Sequence, residues 1–228
     1  MNIESCEDRL QIAMHRARYD FVLDRLPAGE AILEIGVGAG IFSQELMAKG
    51  ASYKGIDFDK DTVDAACRRS GGKADIIQAD ARKLPFNDDQ FSFIVCLEVL
   101  EHLGDWQAGV RHIHRCLKSE GKAIISVPYR RVGGKSESNQ YHLYEPGEQE
   151  LVALFSDLFK DVEVYYQFFT ETRLMTAARL LKLRRLLGLH RIYADLSTGE
   201  PHAIARLNIG HQSRGMTMAV ILVAKRKK

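Results

Sequence analysis

Ala31-Ile32-Leu33-Glu34-Ile35-Gly36-Val37-Gly38-Ala39-Gly40 runs from a short apolar, β-rich segment into a turn with glycine at every second position. The residues that follow, Ile41 to Ala48, suit a helix, so the turn joins a buried strand to a helix, and an α/β sheet opens its cofactor crevice at such a junction. Spacing narrows the ligand. A dinucleotide fingerprint would carry its third glycine at position 41, where this chain has isoleucine, and here the third glycine comes one residue early. Glu34 lies two residues before the turn, where a carboxylate is awkward beside a pyrophosphate and favourable beside a cation.

Outward from that turn, strand-like and helix-like segments alternate. Strands are predicted at Ala31 to Ile35, Tyr53 to Ile56, Ala74 to Ile77, Phe91 to Leu97, Lys122 to Val127, Val162 to Gln167 and Met218 to Ala224. Helices fit Phe42 to Lys49, Lys60 to Ser70 and Asp105 to Leu117. Crossovers between parallel strands are right-handed almost without exception, so the segments assemble as an α/β fold, a Rossmann-like, doubly wound sheet of seven strands. Leu10, Ile12, Ala13, Ala17, Phe21, Val22 and Leu26 recur at helical spacing, and Pro27 with Gly29 ends the run. Residues 1–27 are thus expected to form a helical lid and 28–128 the cofactor-binding core of one domain. Beyond Pro128 come a polar loop, Arg130 to Asn139, and a helix from Glu148 to about Phe159. Residues 129–228 read as the substrate-side half, with 171–215 as a helical cap insertion.

Composition supports this outline. The 228 residues, 46% hydrophobic and 27% charged, suffice for one domain with a sizeable core. The 32 basic and 30 acidic residues leave a formal charge of +2, which gives no overall field to draw the chain onto nucleic acid. Met218 to Ala224 is too short to span a membrane, and the charged first twenty residues do not suit a secretory signal, so a cytoplasmic protein is expected. Cys6, Cys67, Cys96 and Cys116 form no C-x-x-C pair and read as reduced, structural thiols.

Two more acids stand at strand ends. Asp57, in Gly55-Ile56-Asp57-Phe58, closes the second strand, where a carboxylate can accept both ribose hydroxyls. Asp80, in Gln78-Ala79-Asp80-Ala81, closes the third, where it can take a hydrogen bond from an adenine amino group while Phe58 and Ala81 cover the ring. S-adenosylmethionine fits this set, since it has an adenosine, no phosphate, a sulfonium and an α-ammonium. At these residues, and at Leu84-Pro85-Phe86 and Glu101-His102, the chain resembles the class I S-adenosylmethionine-dependent methyltransferases. The resemblance implies that the last strand inserts antiparallel between the fifth and sixth. It also implies that Glu34, Gly36, Gly38 and Gly40, with the backbone at Leu97 and Glu98, surround the methionine part. A nicotinamide-dependent oxidoreductase on the same fold and a non-catalytic binding protein are the rival readings.

The acceptor side is less defined. Cys96-Leu97-Glu98-Val99-Leu100-Glu101-His102 lacks the Asn/Asp-Pro-Pro-Tyr signature of nucleic-acid amino methyltransferases, which leaves a hydroxyl as the expected acceptor. If Glu98 opens a helix, then Glu98, Glu101 and His102 share one face and could hold a divalent cation. With His142 of Asn139-Gln140-Tyr141-His142, this set resembles the metal-assisted O-methyltransferases of ubiquinone biosynthesis and of small-RNA 3′ ends. Three roles stay open: a metal site at Glu98, Glu101, His102 and His142; His142 as general base without metal; or a structural pair at Glu101 and His102. The stretch from Asn139 to Leu158 resembles methyltransferases acting on glycans, lipids and other small molecules. Arg173, Arg179, Lys182, Arg184, Arg185, Arg191 and Arg206 make a basic block; the charges from Arg173 to Arg185 scatter around a helical wheel, so it reads as the solvated rim of a cap, with at most peripheral membrane contact.

Overall fold

The computed structural model describes residues 6–136, 139–171, 205–210 and 216–226. Its strands are β1 (Ala31–Ile35), β2 (Ser52–Asp57), β3 (Asp75–Gln78), β4 (Phe91–Leu97), β5 (Leu117–Pro128), β6 (Phe159–Glu171), β7 (Ala205–Gly210) and β8 (Met216–Arg226). The helices are α1 (Cys6–Arg25), α2 (Ser43–Lys49), α3 (Lys60–Arg69), α4 (Trp106–Cys116) and α5 (Glu148–Leu158). The chain forms two compact units, Val22–Tyr165 with Ala219–Lys228, and Met1–Phe21 with Tyr166–Met218.

In the larger unit seven strands run in the order β3-β2-β1-β4-β5-β8-β6. The neighbours from β3 through β5 pair in parallel, and β8 pairs antiparallel with β5 from Lys122↔Lys225 to Pro128↔Ala219. This is the sheet expected, with the last strand inserted beside the fifth. Ile32, Leu33, Ile94, Cys96, Ile124 and Ile125 are all buried, and such unbroken apolar runs mark strands covered on both faces. On α4, Trp106, Val110, Ile113 and Cys116 form one buried stripe, and the carboxylate of Asp105 caps the helix by accepting from the Ala108 amide at 2.9 Å. Because β1, β2, β3 and β4 are parallel, their carboxyl ends bring Gly36, Asp57, Asp80 and Glu98 to one edge.

Several boundaries differ from expectation. The N-terminal stretch, expected as one or two helices, is the single helix α1 over its described residues. Leu117, expected at the end of α4, is instead the first residue of β5, paired with Phe91 across a register shift. Within the expected helical cap, residues 205–210 are a strand, paired antiparallel with β6 from Tyr166↔Gly210 to Glu171↔Ala205. The reason is visible in Ala205-Arg206-Leu207-Asn208-Ile209, which alternates apolar and polar residues with the period of a strand. Residues 172–204 and 211–215, with all of the basic block except Arg206, lie outside the described residues. Among the described residues no helix is long and apolar enough to cross a membrane.

Glu120 of β5 ties the next two strands of the sheet to its own, accepting from Lys160 of β6 and, at 2.6 Å, from Lys225 of β8. The hydrogen bonds from Lys160 and Lys225 hold its carboxyl at about 2, below the ordinary 4.5. A depressed carboxyl stabilises the fold above its unfolded value, and that stabilisation is lost as the pH falls toward the folded value. Urea unfolding of Glu120→Gln and the wild type is expected to show a stability gap at pH 6 that narrows steadily below pH 4.5. A gap independent of pH would show that this charge cluster does not link the three strands.

Candidate active site

The glycine turn is shaped by its own backbone and by one carboxylate. Gly36 and Gly38 have φ of +77° and +55°, in the left-handed region that side chains disfavour. A Cβ on Gly36 would lie 2.3 Å from Val99 Cγ2, whereas one on Gly38 would meet nothing within 4 Å. Gly36 therefore lets the turn close against the segment after β4, and Gly38 faces open space. The Gly36 and Val37 amides both donate to the Ile56 carbonyl. The Gly38 amide donates to Asp57 Oδ2 at 2.9 Å, and the Asp59 amide donates to Asp57 Oδ1 at 3.1 Å. Asp57 thus reaches the crevice and fixes the turn at the same time.

The other strand-end residues have partners of their own. Glu34 is 1% exposed and accepts from the Tyr53 hydroxyl. Burial, reinforced by the Glu34 charge, pushes that hydroxyl far above its ordinary range, so Tyr53 remains a donor. Phe58 stands 69% exposed beside Asp57, while Ala81 is buried. Asp80 accepts from the Arg82 amide at 2.8 Å and from Arg82 Nη2 at 2.7 Å. The hydrogen bond from the Arg82 side chain holds the Asp80 carboxyl below its ordinary value. An adenine amino group would share Asp80 with that guanidinium. Below the crevice, burial raises the Cys96 thiol, which keeps it protonated and structural.

After β4 the structure departs from the expected helix. Leu97 is buried, and Glu98 adopts a left-handed φ of +57°. Its amide donates to the Ser126 carbonyl at 2.9 Å, and its carboxylate accepts from Ser126 Oγ at 2.7 Å. A residue so held cannot begin a helix. The following turn is 3-10 and spans only Leu100–His102, so Glu98 does not share a helical face with Glu101 and His102. Among the described residues the donor atoms that gather are those of Glu101, His102 and His142, all within 4.8 Å of one another. Glu98 is not in this group.

The two histidine rings meet edge to face, with centroids 4.8 Å apart. His102 Nδ1 lies 2.9 Å from the Tyr141 carbonyl, which can only accept, so Nδ1 carries a proton there. His102 Nε2 lies 4.0 Å from Glu101 Oε1. His142 Nδ1 lies 2.6 Å from Glu145 Oε1, and its Nε2 lies 2.8 Å from Asn139 Nδ2. The loop carrying His142 is anchored by the Tyr144 amide, which donates to the Glu101 carbonyl at 3.2 Å. Burial would raise the Glu145 carboxyl, but hydrogen bonds from His142, Arg130 and Ser136 outweigh it and hold the group below its ordinary value. Asn139, Glu145, Arg130, Tyr53 and Ser126 were not among the residues singled out by sequence. An acid three positions after His142 was the one available signal, and it resembles any helix-preceding acid.

Residues 33–125 match the family described as methyltransferase domain. Across this stretch the chain is similar to methyltransferases. Over 104 residues it is 34% identical to a ubiquinone biosynthesis O-methyltransferase of Pseudomonas paraeruginosa, an alignment covering 44% of this chain and 45% of that protein. The chain spans about half the length of the curated relatives it matches. The fold matches the YcgJ protein from Bacillus subtilis with a TM-score of 0.62 at 19% identity, covering 94% of this chain and 99% of that one. It also matches a phosphoethanolamine N-methyltransferase of Haemonchus contortus, solved with S-adenosylhomocysteine, with a TM-score of 0.63 at 18% identity, covering 93% of this chain and 53% of that one.

The contact between Gly36 and Val99 can be tested by stability alone. Gly38→Ala is expected to cost about 1 kcal/mol for its left-handed backbone, a fall in melting temperature of about 2–4 °C. Gly36→Ala should cost several times as much, because its methyl group also has to displace Val99. Equal losses in thermal unfolding would show that Val99 is not seated on the turn.

Proposed function

We propose that the protein transfers a methyl group from S-adenosylmethionine to a hydroxyl of a small molecule, a glycan or a lipid-like metabolite. One observation carries this reading. Val99 lies against Gly36 of the cofactor turn and leads directly into the turn bearing Glu101 and His102, against which His142 packs. A cofactor crevice and a proton-accepting group are therefore joined through a single residue. Gly38 faces open space, which leaves room for a ligand to approach the backbone. Gly36, Gly38 and Gly40, with Leu97 and Glu98, would border the methionine part, Asp57 would accept the ribose hydroxyls, and Asp80 and Phe58 would flank the adenine. Glu34, buried beneath the turn, would act on the cationic end of the ligand through its field.

When bound, the cofactor supplies a methyl group on a sulfonium. The protein's own part is alignment and proton removal. His142 Nε2 would take the hydroxyl proton as the acceptor oxygen forms its bond to the methyl carbon and the carbon–sulfur bond breaks, its electron pair leaving with the sulfur. The acceptor hydroxyl would replace the Asn139 amide at Nε2. The name of the Pseudomonas relative supports oxygen as the acceptor atom. The nematode enzyme, named for an amine, shows the same fold with a different one.

A second reading is favoured by the gathering of Glu101, His102 and His142. Both histidines engage Nδ1 with an oxygen acceptor, the arrangement usual for histidines that bind a metal through Nε2. A divalent ion held by these three residues would polarise the acceptor hydroxyl. Activity abolished by a chelator and restored by magnesium, manganese or zinc is the expected result under this reading, and chelator-resistant activity lost in His142→Ala is the result under the first. Full activity in both experiments would leave alignment alone.

Calorimetry tests the cofactor. S-adenosylhomocysteine is expected to bind and NADH not to, and NADH binding alone would overturn the proposal in favour of an oxidoreductase. Asp57→Ala should weaken S-adenosylhomocysteine by about 1.5–3 kcal/mol, the range for losing hydrogen bonds to a charged group. An unchanged affinity would mean that the ribose does not lie at Asp57.

A further inference from the structure

We propose that Glu145, itself held by Arg130, is the positioning residue that keeps His142 in its Nδ1–H tautomer, so that Nε2 presents its lone pair to the acceptor. The inference rests on the reading of His142 as the proton acceptor. Two hydrogen bonds specify this tautomer independently. At one end of the ring, Nδ1 is 2.6 Å from Glu145 Oε1, a carboxylate oxygen that accepts. At the other, the Tyr141 amide donates to Asn139 Oδ1 at 3.0 Å, which fixes the orientation of the Asn139 amide and turns Nδ2 toward His142 Nε2 at 2.8 Å. An N–H donor against Nε2 is compatible with a lone pair there and not with a second proton. The opposite tautomer would set two donors against each other and a lone pair against a carboxylate.

Glu145 can impose this choice because it is fixed by both backbone and side chain. Its amide and carbonyl pair with Gly134 at 2.8 and 3.0 Å. Its second carboxylate oxygen accepts from Arg130 Nε at 2.5 Å. Arg130 in turn donates through Nη2 to the Lys135 carbonyl at 3.1 Å, and its own carbonyl accepts from the Glu148 amide at 2.9 Å. The carboxylate, 8% exposed with its residue, thus sits in a frame closed by the start of α5. Besides choosing the tautomer, it would stabilise the imidazolium formed when Nε2 takes the proton.

The test combines a spectroscopic signature with a rate. Long-range proton–nitrogen correlation spectra of 15N-histidine-labelled protein, assigned with His142→Ala, report the tautomer without any acceptor. The rate is the incorporation of label from methyl-labelled S-adenosylmethionine into a metabolite extract. The wild type is expected to show His142 as Nδ1–H. In Glu145→Gln that pure signature should be lost and the rate should fall at least tenfold with S-adenosylhomocysteine affinity intact, while Glu145→Asp, which keeps the carboxylate, should recover part of both. An Nε2–H signature in the wild type overturns the proposal even if no variant folds. So does Glu145→Gln with an unchanged tautomer and rate. If His142→Ala incorporates label at the full rate, the reading of His142 as base fails. If His142→Ala is inactive and Glu145→Gln is unimpaired, that reading survives and only the role of Glu145 falls.

Discussion

The close approach of Val99 to the Cβ-less face of Gly36 is the constraint on which the rest of the site depends. It requires the chain after β4 to turn at once, and the left-handed Glu98, tied to Ser126 by both backbone and side chain, makes that turn. Only then does the short turn bearing Glu101 and His102 face the loop of His142. A side chain at position 36 would displace Val99 and with it the turn that carries Glu101 and His102.

Much of the sheet was legible because its signals are local. The apolar runs of β1 and β4 matched their predicted limits residue for residue, Asp57 closes β2, and Asp80 follows two residues after the end of β3. What was missed depends on partners distant in sequence. Glu98 has the composition of a helix start, and nothing nearby in the chain reveals that Ser126 would hold it in a non-helical conformation. The strand β7 did carry a local signal, its alternation, but the surrounding leucine-rich stretch suggested helix. The partners of His142 were hidden for a different reason: Asn139 and Glu145 flank it in a loop, where spacing does not tell which side chains converge.

The site also separates two levels of chemistry. The crevice at Gly38 and Asp57 is built largely from backbone and one carboxylate. The histidine cluster is built from side chains on a loop held by Arg130 and Glu145. Its form serves either a base or an ion, because in both cases Nδ1 must be engaged and Nε2 left for the reacting partner. On that loop Tyr141 and Leu143 stand exposed beside the cluster.

The place of β8 in the sheet has a consequence for how the chain acquires its structure. β8 lies between β5 and β6, so those two strands have no common neighbour until residues 216–226 arrive. Strands β1 to β5 can pair with one another as soon as they exist, since each finds its partner among earlier segments. Beyond β5 the sheet cannot close in that way: β7 finds β6, but neither joins β5 without β8. Closing it means forming contacts between segments far apart in the chain, and such contacts are slow to form because the intervening loop must first be ordered. Through synthesis or refolding, the apolar edge of β5 remains open to pairing with another chain until β8 fills it.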